Sequence, residues 1–153
     1  MSHPWDDETL WPRRLAAWPC RERITTRWRD NDVYGHLNNT VYYEFFDAVI
    51  NARMIRAGLL DPLRSPAYGI VAETACRYLS SLAYPQEVTV GFGVARLGRT
   101  SVVWHLAVFG AEEGDPAALG RFVHVFVARG DGRPTPVPDA LRAHLEGLRL
   151  AGA

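Results

Sequence analysis

The stretch N-N-T-V-Y-Y-E-F-F-D-A-V-I-N-A-R-M-I-R-A-G, residues 38 to 58, decides the fold. Val41, Tyr42, Phe45, Phe46, Val49, Ile50 and Met54 recur at spacings of three and four, the signature of a helix with one broad apolar stripe. Asn38 or Asn39 can cap its start and Gly58 its end. Such a helix is roughly 28 Å long, and its stripe is wide enough to need covering on several sides.

The flanking segments change period. From Arg21 to Arg29 the chain alternates, with Ile24, Thr26 and Trp28 on one face and Arg23, Thr25, Arg27 and Arg29 on the other. That pattern predicts a half-buried strand, stopped by the polar run Asp30-Asn31-Asp32. After the helix come four more predicted strands, over 68–79, 87–97, 100–109 and 119–129, with Leu97-Gly98-Arg99-Thr100 as a tight hairpin turn. A short last helix is expected from Pro138 to Arg149. One strand, one long helix and four strands make an α+β order, in which an antiparallel five-stranded sheet curls around a single central helix. A sheet this small leaves an open edge, so self-association is expected.

The 153 residues suit one globular domain, preceded by an irregular arm over residues 1–19 in which Pro4, Pro12 and Pro19 break any pattern. The domain itself spans 20–153. Three tryptophans in the arm, Trp5, Trp11 and Trp18, suggest that it docks on something. Seventeen basic and seventeen acidic residues cancel, which argues against nucleic acid or an anionic membrane as partner. All the cations are arginine, so Schiff-base and P-loop lysine chemistry are excluded. Cys20 and Cys76 lack the spacing of a zinc site or a disulfide framework. His105 and His124, counted back from the 111–117 connection, fall nearly opposite each other, but without a third ligand no metal site is expected. No apolar signal-like stretch opens the chain and no run of 18 apolar residues occurs, so a cytoplasmic location is expected.

Chemistry concentrates where the first strand hands over to the helix, in Asp30-Asn31-Asp32-Val33-Tyr34-Gly35-His36-Leu37-Asn38-Asn39. Two carboxylates, an imidazole and several amides are expensive to gather without purpose. A helix N-terminus follows, whose free N–H groups stabilise developing negative charge. Thioester hydrolysis fits this set. The leaving thiol has a pKa near ~8.5 and departs without a strong acid, so one carboxylate, as general base or nucleophile, and a backbone donor suffice. Asp32, before Gly35, is the candidate carboxylate, and Asp30 reads as structural.

The run D-N-D-V-Y-G-H-L-N-N-T-V-Y-Y, residues 30–43, resembles the signature of hotdog-fold acyl-CoA thioesterases of the 4-hydroxybenzoyl-CoA thioesterase type. The order of elements, the G-R-T-S turn at 98–101 and the R-P-T-P-V-P segment at 133–138 extend the likeness over roughly residues 20–148. The resemblance implies Asp32 as catalytic carboxylate, the N–H of Asn39 or its neighbours as the donor that polarises the carbonyl, and His36 as an active-site histidine. Plant acyl-carrier-protein thioesterases carry a functional asparagine where this chain has Tyr34, a departure that places a different side chain beside the substrate. The same likeness assigns Arg99, Thr100 and Ser101 to the coenzyme A phosphates, to which guanidinium geometry is suited. It also implies at least a homodimer, or a homotetramer, with sites between subunits. Coenzyme A would be part of the substrate, with no separate cofactor. Glu73 has two readings, a carboxylate that reaches the site to assist water or an exposed edge charge. An acyl-carrier-protein thioesterase and a noncatalytic acyl-CoA binding protein are the competing functions.

Overall fold

A computed structural model of the protein describes residues 3–153, so the first two residues of the arm lie outside the described residues. Five strands, β1 (Cys20–Ile24), β2 (Ala67–Tyr78), β3 (Val88–Leu97), β4 (Ser101–Phe109) and β5 (Ala118–Ala128), form one sheet in the order β1-β3-β4-β5-β2. Every neighbouring pair is antiparallel. The long helix α1 (Val41–Arg56) connects the two edge strands and so runs beneath the whole sheet.

Alternation sorts the strands into two faces. Val90, Phe92 and Val94 of β3, Trp104, Leu106 and Val108 of β4, and Ala118, Phe122 and Phe126 of β5 pack with Phe45, Phe46, Val49 and Ile50 of α1 in the main core. Gly120 lets the helix come close, since a Cβ there would lie 2.4 Å from the Phe46 ring. α1 ends as its sequence predicts: Gly58 takes a positive φ of 71°, and the Leu59 N–H closes back on the Met54 carbonyl at 3.0 Å. The N-cap is Thr40, without a side-chain cap bond, and Asn38 just ahead of it closes the turn, its Oδ1 accepting from both the Thr40 N–H and the Thr40 hydroxyl.

The outer face carries a second core. Trp11, Leu15 and Trp18 of the arm lie with Leu150 against Ala107, Phe109 and Leu119. The indole N–H groups of Trp11 and Trp18 donate to the carbonyls of Pro4 and Pro12 at 2.9 and 3.0 Å, which satisfies them where they are buried. Leu148 and Leu150 hydrogen-bond Val94 after the last helix, α2 (Asp139–Glu146). Among the described residues, no helix is long and apolar enough to cross a membrane.

Two expectations need correction. β1 stops at Ile24 rather than Arg29, because buried Asp30 accepts from the Arg27 N–H and guanidinium and pulls Trp28–Asp30 into a 3-10 turn. Thr26 is buried as predicted, but Trp28 is 81% exposed. His105 and His124 do not face each other: His105 pairs with Arg121 and His124 with Val102, which puts the two imidazoles on opposite faces of the sheet.

Candidate active site

The loop between β1 and α1 is tied down at several points. Asp30 is 1% exposed, and Arg27 bridges it at 2.8 Å to Glu44 in the first turn of α1, also at 2.8 Å. The Leu37 N–H donates to Leu82 O and the Asn38 N–H to Asp30 O. Asp30 is therefore the structural aspartate of the pair.

Asp32 is held differently. Its N–H donates to His36 O at 2.8 Å, and its Oδ1 accepts from the Tyr34 N–H at 2.8 Å and, more loosely, from the His36 N–H at 3.4 Å. Gly35, with φ of 81°, makes that tight return possible. Among the described residues Oδ2 has no partner, so one carboxylate oxygen stays available. Asp32 lines a cavity of about 370 Å³ together with His36, Leu37, Asn39, Tyr42, Tyr78 and Ser80. A smaller hollow of about 270 Å³ opens on its other side beside Trp28, Val33 and Gly35. A roomier groove of about 450 Å³ lies near Arg21 and Arg23, where Arg23 and Glu112 neutralise one another at 2.9 Å.

The backbone donors of the helix entry are nearly all in use. From His36 to Val41 the N–H groups go to Asp32 Oδ1, Leu82 O, Asp30 O, Asn38 Oδ1 and Asn38 O. Within residues 36–41, Asn39 is the residue whose N–H has no partner among the described residues. It sits at the positive end of α1 and borders the same cavity as Asp32. An unpaired acceptor-seeking N–H and an unpaired carboxylate oxygen on one cavity can address the two sides of an acyl carbonyl.

The structure thus brings Asp32, His36 and Asn39 together, with Tyr34 exposed at the loop tip. It does not bring the other candidates to them within one chain. Glu73 pairs with Val123 and projects from the outer face, where it is ion-paired with Arg121. Arg99, Thr100 and Ser101 form the β3–β4 turn, at the opposite end of the strands from the cavity. That turn is docked on the tail, with the carbonyls of Arg99 and Gly98 accepting from the Arg142 guanidinium and Thr100 O from the Phe126 N–H. Sequence reading placed Tyr42 in the apolar stripe and overlooked Tyr78; their rings meet edge to face 5.2 Å apart at the cavity wall. Pairing with Ala118 puts Tyr78 on the inner face, and its contact with residue 39 has no local spacing to betray it. Among the described residues no group of three or more His, Cys, Asp or Glu side chains stands close enough to hold a metal.

A five-stranded antiparallel sheet around one helix, with a carboxylate at the helix entry, defines a thioester hydrolase of the hotdog class. The chain belongs to the thioesterase-like superfamily, whose sequence model matches residues 26–145. Among solved structures it is similar to the PA5185 protein of Pseudomonas aeruginosa strain PAO1, at 42% identity and a TM-score of 0.87, over 92% of this chain and 99% of that one. It is also similar to a thioesterase of Thermus thermophilus complexed with coenzyme A and Zn, at 31% identity and a TM-score of 0.71, over 90% of this chain and 98% of that one. The DHNA-CoA thioesterase of Staphylococcus aureus, 19% identical with a TM-score of 0.72, shares the fold over 83% of this chain and 86% of that one. No curated protein matches the chain.

Proposed function

We propose that the protein hydrolyses an acyl-CoA thioester to the free carboxylic acid and coenzyme A, as a member of the 4-hydroxybenzoyl-CoA thioesterase type. What carries this reading is that one cavity is lined by both Asp32, which keeps one carboxylate oxygen without a partner among the described residues, and Asn39, which keeps its N–H without one. Asp32 Oδ2 takes a proton from a water that attacks the carbonyl, or attacks the carbonyl itself to form a mixed anhydride that water then cleaves to the free acid; the Asn39 N–H donates to the developing oxyanion, and the thiolate leaves. His36 borders the reacting centre and Tyr34 the mouth. Coenzyme A enters and leaves as substrate and product, and the reaction as written uses no cofactor. A cytoplasmic location belongs to the same reading.

The working unit in this proposal is a homodimer. β2 is an edge strand of twelve residues with Ile70 and Val71 almost half exposed and no proline to guard it. Two-fold pairing of this edge sets the Tyr78 end of one strand beside the Ala67 end of the other. That end lies on the same side of the sheet as the β3–β4 turn, so Arg99 of the partner subunit approaches the cavity that its own chain keeps distant. Thr100 and Ser101 of the partner subunit come with it, as ligands for the nucleotide phosphates.

Thiol release from short, medium, long and aromatic acyl-CoAs tests the reading, with Asp32→Asn in parallel. Selective release by the native protein, lost by orders of magnitude in the variant, supports it. Equal rates for the two proteins on every ester would overturn it.

A further inference from the structure

The carbonyl of Asn39 stands outside the helix ladder. In a regular first turn it would accept from the Tyr43 N–H, but that N–H turns instead to Thr40 O at 3.2 Å. The hydroxyl of Tyr78, reaching across from the last residue of β2, donates to the Asn39 carbonyl at 2.7 Å. Asn39 is thus a residue whose carbonyl is held by the sheet and whose N–H is left free, between neighbours bonded on both sides. Deleting one hydroxyl would release that restraint.

We infer that Tyr78 is a positioning residue for the reaction: its hydroxyl, by holding the Asn39 carbonyl, aims the Asn39 N–H at the thioester oxygen. This rests on the proposed hydrolysis and adds a member to its machinery. The surroundings suit the task. Tyr42 supports the Tyr78 ring edge to face, and Tyr43 and Cys76 flank the hydroxyl. Desolvation, and then the Cys76 thiol, push the Tyr78 phenol far above its ordinary range, so it remains a protonated donor wherever the enzyme works. Cys76 is itself pushed up to about 11, chiefly by burial, and serves as a neighbour rather than a nucleophile. Because Tyr78 ends the edge strand, the same hydroxyl links the proposed dimer edge to the helix entry.

Tyr78→Phe keeps the ring and its contact with Tyr42 and removes only the donor. Steady-state kinetics on the best acyl-CoA should show kcat down roughly 10- to 100-fold with KM within about twofold, since misplacing a donor by an ångström costs on that order. A merely structural tyrosine would shift the melting temperature and leave kcat untouched. The second readout needs no turnover: 15N relaxation of the Asn39 and Thr40 amides should fall from rigid order parameters of ~0.85 toward flexible values in the variant. Unchanged order at both amides, or unchanged kcat in an active enzyme, overturns the inference. Failure of the native protein to cleave any ester would sink the hydrolase reading instead, and the relaxation result would still decide whether Tyr78 orders the turn.

Discussion

A carboxylate works as nucleophile or base only when one oxygen is left unpaired, and Asp32 keeps Oδ2 free because Oδ1 is occupied by its own loop. Asp30, two residues earlier, is consumed by Arg27 and buried. Asp32→Asn should therefore lower kcat by several orders of magnitude with the melting temperature nearly unchanged. Asp30→Asn should instead destabilise by about 1.5–3 kcal/mol, the order of the charged hydrogen bonds it weakens, measurable by urea denaturation. Gly35→Ala places a side chain at φ of 81°, costs about 1 kcal/mol and should slow turnover by loosening the Tyr34 contact. Asp32, His36 and Asn39 were legible because eight residues of one loop contain them. Tyr78 was not, since only the meeting of β2 with the helix entry brings it to Asn39.

At the scale of elements, the period of α1 and the alternation of the later strands were enough to give an antiparallel five-stranded sheet around one helix; the order of its strands came from the structure. The first strand misled, because polar alternation continued through Arg29 while a buried carboxylate ended the strand at Ile24. Parity also corrects the histidine pair: three positions of offset along β4 and β5 send His105 outward and His124 inward. Both are buried, and burial lowers each to about 4. The unfolded chain takes up protons at these imidazoles from its ordinary pKa of 6.5 downward, whereas the folded chain does not until about 4. The stability they allow is thus complete above about pH 6.5 and declines as pH falls through that window. Urea midpoints should drop steadily from about pH 7 to about 4; a flat profile would mean that the rings are not held neutral. His105 stacks on Trp11 with ring centroids 3.6 Å apart and its Nδ1 meets Leu10 O at 2.9 Å, so protonating this ring would also loosen the arm.

For the whole molecule, the long β2 edge is exposed and the outer face is closed. If the proposed dimer forms through β2, Ile70→Lys should convert it to monomer by light scattering and reduce turnover in step, because that reading has the partner subunit's turn reach the cavity. Retention of dimer and activity would show that β2 is not the interface. The outer face is closed by the chain's own ends: Gly91 is covered by Trp18, a Cβ there lying 2.5 Å from the indole, and Gly93 is covered by Pro19 and Leu150. Trp18→Ala should cost roughly 3–5 kcal/mol, read from the denaturation midpoint. The sequence announced that the arm docks; it held no sign of where, since the receiving surface is assembled from β3, β4, β5 and the tail.

That arrangement has a consequence for how the chain comes into being. Trp11 and Trp18 are synthesised well before the surface on which they rest, since Phe109, Leu119 and Leu150 follow roughly 90 to 140 residues later. At ~5–20 residues per second the tryptophans spend on the order of 5–20 s with no surface to bury them. Contacts this distant in sequence close slowly. The opening segment therefore waits for the tail, and a nascent chain stalled before β5 presents bare indoles to its surroundings.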